Sequence, residues 1–285
     1  TISQYRNEIA DCAADQTASS WFIGAGVSMP DLLAQNNNPK ALLDSLIPGK
    51  PALILDNLGH GAWANTAALE TAGFDTLAGN PQGGIIDRLP SGAPSGVVYE
   101  NAQQALRTAA LPPTQANKDV NFEALKTALS TLAKNGITSV SDAGGYWTRG
   151  HHEAWIRAEN EGVLTVRASN AFYVFPEKPL AQQVADITAL KSGTAESFVR
   201  FNQVKIYVDG IITQGTAALI DPYTNDPGVA AVGSRGFEYF TPSDLQDYAS
   251  QFDAAGFGVH FHATGDRGTR LALDAIETAQ SRNGV

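Results

Sequence analysis

The sequence has a single cysteine, Cys12, in 285 residues. A lone thiol excludes a disulfide framework and a cysteine-built metal site. Positive charge is also scarce: 19 Lys and Arg against 29 Asp and Glu leave a net charge of −10. That balance argues against nucleic acid or an anionic membrane surface as a partner. No apolar run approaches the roughly 20 residues of a bilayer-crossing helix, and no stretch reads as a cleavable signal. No GxGxxG follows the first strand-like run, and GxxxxGK(S/T) is absent throughout. The usual support for a nucleotide-binding doubly wound sheet is therefore missing. What is present is a globular, turn-rich composition: 43% hydrophobic residues with 27 Gly and 14 Pro. The length allows one large α/β domain or two smaller ones.

The first part of the chain is irregular. Residues 1–18 read as a helix, with Ile2, Tyr5, Ile9 and Cys12 or Ala13 at helical spacing. Residues 21–28 read as a short strand and 39–46 as a helix bracketed by Pro30 and Pro48. Pro51 to Asn65 reads as one apolar strand ending in a polar cluster of His60, Trp63 and Asn65, followed by a short helix over 66–71. Asn65 suits a helix cap, a substrate contact, or both. Residues 79–96 read as loop and hairpin, the kind of long segment that often forms a binding loop or lid. Residues 99–108 then read as a helix.

From residue 121 the pattern is regular. Helices are expected over 122–135, 151–161, 181–191 and 243–255, with Thr241 or Ser243 as cap and Pro242 at the start of the last. Strands are expected over 137–145, 164–175, 201–210 and 258–262, with a final helix over 269–279. A loop through Pro222-Tyr223 and Pro227-Gly228 interrupts the series. Helix–strand alternation of this kind predicts a parallel sheet, in a doubly wound fold or a closed barrel.

Two places carry chemistry. In GVHFHATGD, Gly258 to Asp266, His260 and His262 alternate with Val259 and Phe261. Both imidazoles therefore point to one face of a strand that ends at a strand-to-helix loop. That edge is where the chemistry of α/β barrels sits. The same two residues also suit packed, hydrogen-bonded core histidines. In FNQVKIYVDG, Phe201 to Gly210, Lys205 lies mid-strand among Val204, Ile206 and Val208, and Asp209 makes the tip acidic. A buried ammonium costs several kcal/mol unless it is paired or modified. The alternative is a lysine whose amine reaches water at the strand tip.

WFIGAGVS, LGHGAWANTAALETAGF, GGIIDRLPSGAPSGVVYENA, GITSVSDAG, VKIYVDG with its trailing TAALIDPYTNDPG, and VHFHATGDRGTRLALDAIETA occur in this order over nearly the whole chain. Together they resemble the metal-dependent amidohydrolase superfamily, in its YtcJ-like branch with the N-substituted formamide deformylases. The resemblance implies a distorted TIM barrel. Its first strand carries an HxH metal motif, its fourth a lysine often carboxylated to bridge two metals, its fifth and sixth histidines, and its eighth an aspartate. Matched by order, residues 137–142, 166–173, 204–209 and 259–262 fall on barrel strands two to five. The expected architecture is then a partial TIM-like (β/α)8 barrel in residues 121–285, with residues 1–120 as an insertion or lid subdomain between strands one and two.

On this resemblance Lys205 matches the carboxylated lysine and His262 the strand-five ligand. His60, Trp63, Asn65, Asp209 and His260 become substrate-side candidates. The implied cofactor is one or two divalent ions, zinc first, with iron or manganese as alternatives. HFH at 260–262 copies the HxH spacing but precedes ATGD, so it does not match the strand-one motif. The sequence also lacks a match to the strand-one motif, the strand-six histidine, the strand-eight aspartate that would be the catalytic acid–base, and the β-sandwich. The expectation is an internal piece of a longer protein, inactive alone. The expected activity is hydrolysis of carbon–nitrogen bonds in non-peptide amides, with a small-molecule substrate. The alternatives are a non-catalytic binding or regulatory relative and a metal-free barrel using Lys205 as a Schiff-base amine. A homodimer, and a bacterial cytoplasm or periplasm, are left open.

Overall fold

The computed structural model describes residues 1–16, 19–224 and 233–284. The Pro227-Gly228 turn and the expected end of the first helix at residues 17 and 18 lie outside them. The chain forms two compact units. Residues 1–110 with 209–239 make the first, and residues 111–208 with 240–285 the second. The changeover between the units lies at Ala110–Leu111, and residues 209–239 belong with the first unit.

The first unit is a mixed five-stranded sheet with helices on both faces. Its elements run α1 (Ile2–Asp15), β1 (Phe22–Val27), α2 (Met29–Gln35), α3 (Pro39–Leu46), β2 (Ala52–Asp56), β3 (Gly61–Ala64), α4 (Thr66–Thr71), β4 (Gly84–Arg88), β5 (Pro94–Glu100) and α5 (Asn101–Ala110). The spatial order is β1-β2-β3-β5-β4, with β1 and β2 parallel and the other pairs antiparallel. The apolar run expected as one strand is a hairpin, β2 and β3. Asn57 to His60 turn the chain between them, and Gly59 takes φ +78°, a conformation glycine adopts without strain. Both faces of this sheet are covered. Ile54, Trp63, Val97 and Tyr99 pack against Ile9, Leu32 and Leu43 on one side. Leu53, Ala62, Ala64 and Val98 pack against Leu69, Ala102 and Leu106 on the other. A strand buried on both faces has no polar side to break its apolar run, so the turn was the only mark of two strands. Helix α2 was not expected; Ser28 caps it, accepting from Asp31 N, and Pro30 sits in its first turn.

The second unit alternates as the sequence predicts: α6 (Gln115–Lys134), β6 (Ser139–Gly145), α7 (His151–Asn160), β7 (Arg167–Tyr173), α8 (Leu180–Leu190), β8 (Val199–Tyr207), α9 (Pro242–Ala254), β9 (Gly258–His262) and α10 (Asp266–Asn283). The four strands form one parallel sheet in the order β6-β7-β8-β9. Helix α6 starts well before Phe122 because Thr114 caps it, its hydroxyl accepting from Asn117 N. Gly136 ends that helix at φ +70°. Thr241 caps α9 over Pro242. The core lies between the two inner strands and the helices. Phe172 of β7 and Phe201 of β8 stack 5.4 Å apart, and Val204, Ile206, Ile187 and Phe252 are fully buried. Each such side chain contributes roughly 1.5–3 kcal/mol by leaving water.

Candidate metal-binding edge

The parallel register sets the candidate residues in rows. Tyr173 of β7 stands beside Lys205 of β8, and Lys205 beside His260 of β9. One pleat further toward the strand ends, Tyr207 stands beside His262. Alternation then puts Lys205, Tyr207, His260 and His262 on one face of the sheet. Lys205 is 7% exposed, yet its stem leads outward. Its Nζ lies 5.3 Å from the centroid of the Tyr207 ring, and that ring stacks on His262 at 4.5 Å. The amine and the His262 imidazole therefore flank one tyrosine at the carboxyl edge of the sheet. The lysine stem passes over the backbone of Gly144 at the end of β6, where a Cβ would already touch Lys205 Cγ at 3.5 Å.

Burial works against charge on the Lys205 amine. Burial pulls the Lys205 ammonium below the ordinary lysine range. Among the described residues no carboxylate forms a salt bridge with it. His260 is pulled below the ordinary imidazole range, first by burial and then by the charges of Lys205 and His262. Thr264 Oγ1 lies 3.1 Å from His262 Nε2 and fixes the plane of that ring. Lys205 and His262 thus present an amine and an imidazole, two groups able to act as metal ligands when unprotonated, on the same face of the sheet. Among the described residues no group of three or more His, Cys, Asp or Glu is arranged as a metal site.

The same edge carries aromatic residues that sequence reasoning did not single out. Tyr146 packs on Tyr173 at 4.8 Å, and Tyr173 lies 5.6 Å from Tyr207. The Arg149 guanidinium lies 3.8 Å from the Tyr146 ring centroid. Their signal was a tyrosine at or just past the end of three of the four strands, which looks like ordinary core packing until the register is known. Asp142, midway along β6, points toward the helices: its carboxylate accepts from Trp155 Nε1 of α7 at 2.9 Å. Burial raises its pKa.

The remaining candidates lie in the first unit. Trp63 is fully buried and donates through Nε1 to Pro39 O at 2.8 Å. Asn65 is buried, and its amide makes four hydrogen bonds. Oδ1 accepts from Ala52 N and Ala68 N; Nδ2 donates to Ile47 O and Lys50 O. Both side chains are spent on the scaffold, and Asn65 takes the helix-cap role that the sequence offered. Asp209 is completely buried and accepts from Ala218 N at 2.8 Å, so its carboxylate serves a turn. His60 keeps 18% of its side chain exposed and is held by Glu100 at 2.7 Å. Glu100, Thr216 and Tyr239, which complete this cluster, carried no sequence signal because they are far apart in the chain.

Comparison with known proteins places the chain in a family. A family model described as the amidohydrolase family matches residues 1–285. The exoenzymes regulatory protein AepA of Pectobacterium carotovorum subsp. carotovorum is 26% identical over 99% of this chain and 59% of its own length. The putative amidohydrolase YtcJ of Bacillus subtilis is 26% identical over 93% of this chain and 48% of its own. The N-substituted formamide deformylase of Arthrobacter pascens is 24% identical over 92% and 47%. The chain thus spans about half the length of these relatives. Among solved structures, an uncharacterized metal-dependent hydrolase from Pyrococcus horikoshii OT3 aligns over 90% of this chain and 47% of that one. Its TM-score is 0.59 at 21% identity, which shows a shared fold. No helix of the described residues is long and apolar enough to cross a membrane.

Proposed function

We propose, since this chain belongs to the amidohydrolase family, that Lys205 and His262 are ligands of a divalent metal in a hydrolase of non-peptide carbon–nitrogen bonds. The observation that carries the reading is the pair itself: a buried amine without an acidic partner and an imidazole, flanking Tyr207 on one sheet face. The YtcJ and formamide deformylase relatives support the bond type, and zinc is the first ion to test. On this reading β6 to β9 are strands two to five of a TIM-like barrel, and residues 1–120 the insertion.

The chain's own residues divide the work as follows. Neutral Lys205 Nζ forms a bond to the carbon of carbon dioxide and releases a proton, giving a carbamate anion with two oxygen donors. Burial favours this step because only the unprotonated amine is nucleophilic. Tyr207 and Thr264 hold the His262 ring, one by stacking and one by hydrogen bonding, so that less ordering remains when a ligand binds. A bound divalent ion supplies Lewis acidity toward water and a substrate carbonyl. Tyr146 and Tyr207, both half-buried, lie along the same edge, where aromatic surface suits an apolar N-substituent.

The test is metal analysis of the full-length protein with an assay on N-substituted formamides, before and after chelation. Metal-dependent formamide hydrolysis supports the reading. Absence of metal, or activity indifferent to chelator, contradicts it and favours a binding or regulatory role.

A further inference from the structure

In the first unit, Glu100 is the one non-glycine residue with positive φ among the described residues, at +54°. It ends β5, directly before α5. Backbone in that region costs of order 1 kcal/mol or more and persists where surrounding contacts over-determine it. Here they do. The Glu100 side chain is 1% exposed and its two oxygens receive three hydrogen-bonding groups from distant parts of the chain. His60 Nδ1 lies 2.7 Å from Oε2, Tyr239 Oη donates to Oε2 at 2.8 Å, and Thr216 Oγ1 donates to Oε1 at 2.6 Å. Thr216 in turn organises a turn: Ile211 N donates to its hydroxyl at 2.8 Å, and Gly210 N to its carbonyl at 3.2 Å. A methyl at Gly210 would fall on Thr216 Oγ1 and the Glu100 carboxylate. Gln214, in the same turn, donates to Asp56, which also accepts from His60 N at 2.9 Å.

We propose that His60 and Glu100 form a pH-sensitive latch: the charged pair pins the 210–216 turn and Tyr239 against the β2–β3 hairpin, and loss of the His60 proton loosens it. The groups facing His60 include Asp56 at the end of β2, Glu100 and Asp209, all acidic, and Tyr239, which donates to the same Glu100 oxygen. Tyr99, beside Asp56, is kept protonated by burial. Burial alone lowers the His60 pKa. The hydrogen bond to Glu100 and the charges of Glu100, Asp56 and Asp209 outweigh it, so the net direction is upward. A raised folded-state pKa gives stability that is complete below the unfolded imidazole value and lost as pH rises through the folded one. The latch therefore loosens as pH rises through a value above the ordinary imidazole range.

The test is hydrogen exchange across the 210–218 amides of the whole chain, corrected for the intrinsic effect of pH. Protection in the unmodified protein should fall about threefold or more from about pH 6 to about pH 9, while amides of β7 and β8 keep theirs. In Glu100→Gln the same amides should be weakly protected at every pH. Flat protection in the unmodified protein, or an unchanged pH dependence in the variant, overturns the proposal. If the variant does not fold, ring titration of His60 in the unmodified protein decides. A value above the ordinary imidazole range supports the latch, and one at or below it refutes it.

Discussion

Lys205 and His262 are one pleat apart on neighbouring parallel strands, and the ring of Tyr207 lies against both. Two residues of strand correspond to roughly 6.6 Å of rise, a span that the four-carbon lysine stem covers. A lysine one residue earlier or later would have faced the helices instead.

Replacing Lys205 with Met removes an amine from a site where burial opposes its charge. The variant should gain about 1 kcal/mol in stability without metal, seen as a higher urea midpoint. It should also lose metal affinity. A less stable variant with full affinity would place Lys205 in the scaffold.

His152 of α7 packs edge-on to Phe172 and Phe201, and its Nδ1 is buried without a hydrogen-bond partner. Burial lowers its pKa. The unfolded chain then binds more protons than the folded one, so this residue costs stability as pH falls below the ordinary imidazole range. His152→Phe should flatten that part of the stability–pH curve in denaturant titrations at several pH values. An unchanged slope would contradict the assignment.

Asn65→Ala removes the cap of α4 and leaves Ala52 N, Ile47 O and Lys50 O without their side-chain partner. The loss should be about 2–3 kcal/mol. Metal content per folded molecule should not change. A drop in ligand affinity at full stability would restore Asn65 as a binding residue.

Phe201→Ala opens the centre of the second unit beneath the metal-binding edge. It should cost roughly 3–5 kcal/mol, read from urea denaturation followed by circular dichroism. A cost under about 1 kcal/mol would mean the Phe172–Phe201 stack is not the core of that unit.

The second unit was legible in the sequence because its period changes are clean. Apolar helices ended by Gly136 and Gly162 alternate with short β-rich runs, and each became a helix or a strand of one parallel sheet. The first unit was less so. Leu53 and Ile54 face opposite cores, so β2 and β3 show no polar alternation and read as one strand. At the candidate site, Lys205 and His262 were legible because a cation and an imidazole are conspicuous in apolar strands. Glu100 was not, since its partners His60, Thr216 and Tyr239 meet only after residues 209–239 join the first unit. Trp63 and Asn65 were ambiguous for a related reason: polar and aromatic residues after a strand look alike whether they meet a ligand or a buried carbonyl.

The most direct test of the metal-ligand assignment is magnetic resonance of the protein with isotope-labelled bicarbonate, titrated with zinc. A carbamate carbon signal should appear, strengthen with zinc, and be absent from Lys205→Met and weakened in His262→Asn. No carbamate signal at saturating zinc, or one that survives loss of Lys205, would contradict it.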